Sequence, residues 1–477
     1  MIPHAAQSAS HKTSLIALPV TEKTLARPSP SAAAKSTTAP PHLRDLAAFT
    51  LERAKALGAT AADVEISAST GQNVTVRLGE VETIEHNRDK GMGVTVYLGQ
   101  QRGNASTTDL SRDAIERTVA AALAIAKYTA PDEFSGLPDP ARHALAPFAD
   151  CELHHPWVLP VDEAIELCKR IEAAAFAVDK RIDNSEGASV SVSDADFIFA
   201  NSNGFIGGYP TTRHSTSCTM IASTEQGMQR DYWYTVARAA ERLEAAEIVG
   251  RKAGERTLAR LDSRRIPSGD FPVLFEAPIA SSLIGSFVGA VSGSALYRKS
   301  SFLMDSIGQQ VFSPLVNIRE DPFVKHGLAS GAFDAEGVAT SVRDLVKNGV
   351  VQGYFLASYS ARKLGLQTTG NAGGNHNLLV QPGALDFQGL LKKMHRGLLV
   401  TELMGQGVTN VTGDYSRGAA GFWIENGEIA YPVEEITIAG NMKDMFKGIV
   451  AVGNDVLALG SKHCGSILID HMSIAGE

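Results

Sequence analysis

The run APIASSLIGSFVGAVSGSAL, Ala277 to Leu296, carries no charge and lies between Glu276 and Tyr297-Arg298-Lys299. An uncharged stretch of about 20 residues is long enough to cross a bilayer as a helix. Ser281, Ser282, Ser286, Ser292 and Ser294 argue against a span, large aliphatics are few, and no second candidate occurs. Gly285, Gly289 and Gly293 recur every four residues, which stacks them on one face of a helix. A face without side chains lets another backbone come close. In a soluble protein it predicts a buried central helix crossed by other elements. The run holds no His, Asp, Glu or Cys, so it supplies neither metal ligands nor a general base.

Around this helix, 477 residues are too many for one ordinary core and predict two or three domains. Hydrophobic content of 44 % with 20 % charged residues is that of a soluble globular chain rather than a membrane protein. The net charge of -8 and pI near 5.9 argue against a nucleic-acid-binding surface. Cys151, Cys168, Cys218 and Cys464 are widely spread with no CxxC pair. That fits neither a disulfide framework nor a zinc knuckle and points to a reducing cytoplasm. Residues 1–42 read as a disordered extension, because Ala, Ser, Thr and Pro dominate from Arg27 to Pro41. They contain no apolar run of signal-peptide length.

Residues 43–265 read as an α+β domain, an antiparallel sheet with helices packed on it. Leu43, Leu46, Ala47, Thr50, Leu51, Ala54 and Leu57 follow helical spacing, and Gly58 supplies a stop. Val64 and Ile66, then Val74, Val76 and Leu78, then Val94, Val96 and Leu98 alternate as half-exposed strands do. Ser111 can cap a helix whose apolar stripe is Ile115, Val119, Leu123 and Ala126. A second helix is expected from Val161 to Val178, with Cys168 in its core face. From Ser189 to Ala237 the pattern is strand-like again. His214 and Cys218 would then sit about 13 Å apart, too far to share a metal. Tyr232, Trp233 and Tyr234 lack surrounding Lys and Arg and read as sheet packing. A helix from Ala240 to Leu261 closes this half, and RRIPSGDFP is the expected linker.

Residues 266–477 read as a β-rich domain around the glycine-faced helix. Tyr297, Arg298 and Lys299 place a cationic patch just past its end, where positive charge suits the dipole. TTGNAGGNHN, Thr368 to Asn377, reads as a flexible polar loop with His376 at the surface, and Leu398, Leu399 and Val400 as a buried strand.

Longer motifs follow. TELMGQGV (Thr401 to Val408), TGDYSRGAAGFWIENGEI (Thr412 to Ile429) and YPVEEITIAGN (Tyr431 to Asn441) are joined by SALYRKSSFL (Ser294 to Leu303), SYSARKLGL (Ser358 to Leu366) and STTDLS (Ser106 to Ser111). On these motifs the chain, from about Leu43 to its C-terminus, resembles the PmbA (TldE) branch of the PmbA/TldD family. That family is known both as metalloprotease subunits and as gyrase modulators. The resemblance implies that a TldD-type partner carries an HExxxH helix and a later Cys that together hold a divalent metal such as zinc. Two imidazoles and a third ligand leave an open position for a water molecule, whose proton a neighbouring Glu can take. In this chain the corresponding helix is the opening stretch, and no HExxH or HExxxH occurs anywhere. Cys464 falls where the metal-bearing partner has its cysteine, and is at most a weak metal candidate, since one thiolate is not a zinc site.

The expected function is therefore a subunit of a cytoplasmic metallopeptidase complex that cleaves unfolded or precursor peptides. This chain brings no cofactor and no catalytic residue of its own, and zinc sits on the TldD-type partner. Tyr297, Arg298, Lys299, Asp414, Tyr415, Ser416 and Arg417 are the candidates for peptide or interface contacts, against the plainer reading of ordinary loop residues. A homodimer is compatible with the glycine-faced helix; nucleic acid and membrane are not expected partners. The alternative from another class is a non-enzymatic, gyrase-modulator-like regulator that binds a protein. An autonomous hydrolase would need a nucleophile, for which Ser360 followed by Lys363 is the one weak motif.

Overall fold

Strand alternation builds the N-terminal half around one large sheet. The computed structural model describes residues 40–476, which belong to one compact unit. The expected extension, residues 1–42, lies almost wholly outside the described residues. The half opens with α1 (Pro41–Ala56), β1 (Ala61–Arg77), β2 (Glu80–Leu98), β3 (Gln101–Thr107) and α2 (Arg112–Tyr128). It continues with α3 (Val161–Phe176), β4 (Ile182–Asn201), β5 (Ile206–Thr224), β6 (Gly227–Ala237) and α4 (Ala246–Ala259). The sheet runs β3-β2-β1-β4-β5-β6, antiparallel throughout. Alternate residues of β1 are buried: Val64 and Ile66 under α1 and α2, and Val74 and Val76 under α3 and α4. The caps are as read, with the Ser111 hydroxyl accepting from the Ala114 amide.

Two departures concern length. The separate alternating stretches expected near Val64 and Val74 are the ends of one 17-residue strand, β1. Its polar middle, Ser67 to Gly71, stays in the ladder because pairing uses the backbone. The expected Glu- and Arg-rich helix is shorter, since the chain around Ala240 makes a separate 3-10 turn before α4.

The second half contains β7 (Gly269–Phe275), α5 (Ala277–Ala290), α6 (Gly293–Tyr297), β8 (Ile318–Asp321), β9 (Arg343–Lys347), β10 (Val350–Val351) and α7 (Ser358–Lys363). It ends with β11 (Asn377–Val380), α8 (Phe387–Met394), β12 (Gly397–Met404), β13 (Asp414–Glu425), β14 (Glu428–Asn441), α9 (Met442–Lys447), β15 (Ile449–Val452), β16 (Lys462–His463) and β17 (Ile467–Ala475). A five-stranded sheet runs β10-β9-β8-β11-β16, and a six-stranded one runs β14-β13-β12-β7-β17-β15. In the latter β14 also pairs with β17, which gives a barrel-like closure. Strands dominate this half, as expected.

The central helix is present, but its glycine face is reversed from the expectation. The uncharged run is two helices, broken where the Ser292 hydroxyl accepts from the Ala295 amide and starts α6. In α5 the buried face is Ala280, Leu283, Ile284, Phe287 and Ala290. Large apolar side chains gain most from leaving water, so they, not the glycines, decide which way the helix turns. A Cβ on Gly289 would meet nothing within 4 Å, whereas one on Gly293 would come to 2.2 Å from the Ser360 hydroxyl. Close approach thus occurs only at Gly293. Gly289→Ala is expected to stabilise the fold by about 0.5–1 kcal/mol through helix propensity. A denaturant midpoint that falls instead would restore the close-packed reading. Among the described residues no helix is long and apolar enough to cross a membrane.

The halves are locked together at several points. Arg362 of α7 donates to the carbonyls of Phe134 (2.7 Å), Gly136 (2.8 Å) and Leu137 (3.2 Å), and the Tyr359 hydroxyl donates to Asp132 at 2.7 Å. Phe199 and Phe205 pack with Phe333.

Candidate functional site

The outward face of α5 begins where the chain leaves β7, beside the middle of β12; the Glu276 amide donates to the Val400 carbonyl at 3.1 Å. Glycines and serines make this face shallow. Beside it runs β16, whose Lys462 Cε lies 3.6 Å from where a Gly285 Cβ would be. Burial lowers the Lys462 amine below the ordinary lysine value. The next residue, His463, is likewise lowered by burial. Cys464 is 1 % exposed, its thiol is pushed up to about 12 by burial, and its S–H points to the Gly465 carbonyl at 3.1 Å. One thiol alone does not make a metal site. Among the described residues no group of three His, Cys, Asp or Glu side chains could hold a metal.

Tyr297, at the end of α6, packs edge-on against Tyr359 at 5.7 Å. Arg298 lies 5.7 Å from the Tyr297 ring, and Lys299 follows in the left-handed region, φ 54°. Asp414 accepts from the Thr412 hydroxyl at 2.6 Å and the Asn441 amide at 3.1 Å, which holds its carboxyl below the usual range. Ser416 is exposed. Tyr415 drops out as a surface contact: it is 2 % exposed and part of the core, and burial pushes its phenol up to about 12, with Arg417 beside it acting in the opposite direction. The two sets are linked through Phe302, whose amide donates to the Asn410 carbonyl at 2.8 Å. Ser360 and Lys363 do not form a catalytic pair. The serine donates to the Ala357 carbonyl at 3.0 Å, while the lysine sits over the Phe134 ring at 4.3 Å and near Asp132 at 3.6 Å. Glu402 of TELMGQGV pairs with Arg260 of the N-terminal half at 2.5 Å, a joining role.

Sequence reading missed a cleft of about 160 Å³ between the halves, lined by Asp63, Tyr97, Arg102, Glu336, Tyr359 and Arg362. These residues come from three strands, a loop and α7, and Asp63 alternates like any outward residue, so no local signal marked them. The Tyr97 hydroxyl donates to Asp63 at 3.4 Å. Burial raises the Asp63 carboxyl to about 6, against weaker opposing pulls from Thr95 and Arg102. The cleft offers charge and hydrogen bonds, the features of a polar binding site. A carboxyl raised in the folded state stabilises it below the ordinary value near 3.8 and loses that contribution as pH rises through about 6. Asp63→Asn is therefore expected to gain about 2–3 kcal/mol over the natural protein near pH 8 and nothing near pH 4, read by urea unfolding at both. Equal stability at both would contradict it.

This fold and these motifs define a class. The domain 1 model of the PmbA/TldA metallopeptidases matches residues 62–126, the central-domain model residues 154–261 and the C-terminal-domain model residues 268–476. The chain belongs to this family, in its PmbA branch. It is 51 % identical to the metalloprotease PmbA of Escherichia coli O157:H7 over 417 residues, 87 % of this chain and 92 % of that one. It is 46 % identical to the Haemophilus influenzae metalloprotease PmbA homolog over 437 residues, 91 % and 96 % of the two chains. Among solved structures, a putative modulator of DNA gyrase from Bacteroides thetaiotaomicron superposes with TM-score 0.87 at 28 % identity, covering 92 % of this chain and all of that one. TldE from Thermococcus kodakarensis shares the fold, with TM-score 0.79 at 21 % identity over 91 % of this chain and 100 % of its own. A metallopeptidase family implies a divalent metal, and among the described residues no group of three His, Cys, Asp or Glu side chains fits one.

Proposed function

We propose that this chain is the subunit without catalytic metal in a two-component cytoplasmic metallopeptidase, in which a TldD-type partner carries the metal and cuts unfolded or precursor peptides. The supporting observation is the chemistry of α5 and Cys464: a helix face of Gly and Ser without metal-ligating side chains, and a single buried cysteine with no group of three His, Cys, Asp or Glu side chains able to hold a metal among the described residues. The family contains a second type of chain, represented by the Haemophilus influenzae metalloprotease TldD homolog, 24 % identical to this one over 436 residues. In the complex this chain grips substrate and completes the chamber. Its β2 suits the first task. Residues 80–90 are exposed, and β3 pairs only from Met92 onward, so backbone donors and acceptors along this edge can take an extended peptide with little regard to sequence. The turn that starts β2 is held rigid, because the Leu78 and Gly79 amides donate to the Glu172 carboxylate at 2.9 and 2.8 Å. Tyr297, Arg298, Lys299, Asp414, Ser416 and Arg417 are the proposed contacts with partner or peptide.

The test is cleavage of an unstructured peptide by this chain, by a TldD-type chain from the same source, and by the mixture. Activity that rises with the ratio of the two and saturates at a fixed stoichiometry is the expected result. A partner fully active alone, yet bound by this chain without effect, would favour a non-enzymatic regulator.

A further inference from the structure

A second cavity, also about 160 Å³, lies within the second half. Its walls come from residues that the proposed function leaves unused. Leu303 and Met304 enter from the segment that ends SALYRKSSFL, Val311 and Ser306 from the same loop, and Lys443 and Lys447 from α9. Leu303 and Val311 are 4 % and 7 % exposed, so the floor is apolar. The size matches a group like benzene, which fills an engineered apolar cavity of about 150 Å³.

The lysines supply the sign. They stand four residues apart, on one face of α9, and neither makes an ion pair among the described residues. No acid lines the cavity; Asp305 and Asp444 lie next to lining residues in the chain but are not part of its wall. Ser306 is 4 % exposed and its hydroxyl has no hydrogen-bond partner among the described residues.

The site is built rather than loose. The Asn441 side chain caps α9 by accepting from the Lys443 amide at 3.1 Å. Phe446 anchors the helix against Phe312 at 4.3 Å. Next to the lining residues in the chain, the Ser301 hydroxyl donates to the Ala290 carbonyl at 2.6 Å, and the Gly308 amide to that of Val351 at 2.8 Å.

We infer that this cavity binds a carboxylate borne on a branched aliphatic or aromatic group, the chemistry of an apolar C-terminal residue of a peptide. Only the word peptide rests on the proposed function. The test needs neither the partner nor peptidase activity, so the two readings fail separately.

The experiment titrates the full chain with labelled hexapeptides ending in leucine, as the free acid and as the amide, with acetyl-leucine as competitor. The acid is expected to bind with a dissociation constant of about 1 mM or tighter. Amidation, or Lys443→Gln with Lys447→Gln, should each weaken it about tenfold by removing a charge-assisted contact. Both lysines are exposed, so circular dichroism of the double variant should be unchanged. Competition by acetyl-leucine supports the inference and assigns the site to small apolar carboxylates in general; a peptide that binds without being displaced supports it as a terminus site. Equal binding of acid and amide, indifference to the lysine changes, or no binding at all overturns it.

Discussion

Glu320→Gln is expected to lower the stability of the fold by about 3–5 kcal/mol, because it leaves a buried guanidinium without its counter-charge. Glu320 is 1 % exposed on β8. One oxygen accepts from the Asn371 side chain and the His376 amide, both at 2.8 Å, and lies 3.2 Å from His376 Nδ1. The other accepts from Arg343 Nε at 2.7 Å, and Arg343 goes on to donate to the Tyr354 carbonyl at 2.8 Å and the Asn371 side-chain oxygen at 3.0 Å. Burial alone would raise this carboxyl, but the His376 bond and Arg343 outweigh it and hold it below its ordinary value of 4.5. A carboxyl lowered by folding contributes stability above its unfolded value and loses it as pH falls through the folded one. The deficit of the variant should therefore be full near pH 7 and shrink below about pH 4. Chemical denaturation at both values reads it. A loss under about 1 kcal/mol near pH 7 would mean that the network adds no more than a surface pair.

Arg256→Met should cost a similar amount, about 3–5 kcal/mol, with the opposite dependence on pH. Arg256, on α4, donates to both oxygens of Glu276 at 2.9 and 3.1 Å and lies 3.5 Å from Asp231. Side-chain exposures are 19 % for Arg256, 21 % for Glu276 and 7 % for Asp231, so water screens the group only partly. The Glu276 carboxyl already sits above its ordinary value, since burial outweighs the pull of Arg256. Without the arginine, two neighbouring carboxylates remain, and Arg260, 3.8 Å from Asp231, answers only one of them. Protonation then relieves the strain, so the variant should recover as pH falls from about 8 to about 5. Replacing Glu276 by Leu in the same chain should restore part of the loss at pH 8. If the double change is as costly as the two single ones added, the ion pair is not the cause.

Much of the α+β architecture was legible because its signals are local. Ser111 marks the start of α2 by bonding within one turn, and the large apolar residues at helical spacing place α1 and α3. The same rule, applied to Leu283, Ile284 and Phe287, would have turned α5 correctly; reading its glycines first turned it outward in. His376 was placed at the surface because its partner, Glu320, lies 56 residues away. The loop expected to be flexible is instead pinned by that carboxylate. Tyr415 illustrates the converse, as a residue in a polar motif whose ring the barrel-like sheet needs for its core. For the candidate sites, composition shows no more than that α5 carries no His, Asp, Glu or Cys. The Asp63 cleft and the Leu303–Lys447 cavity are each assembled from segments far apart in the chain, where no periodicity reports on proximity.

In the proposed complex the metal is on the other chain, and the most direct measurement is metal stoichiometry by mass spectrometry after the two chains are purified together and then separated without chelator. About one divalent ion per TldD-type chain, and none above background on this one, is the predicted result. A stoichiometric ion that stays with this chain, lost on Cys464→Ala, would contradict it and make the thiol near β16 a ligand after all.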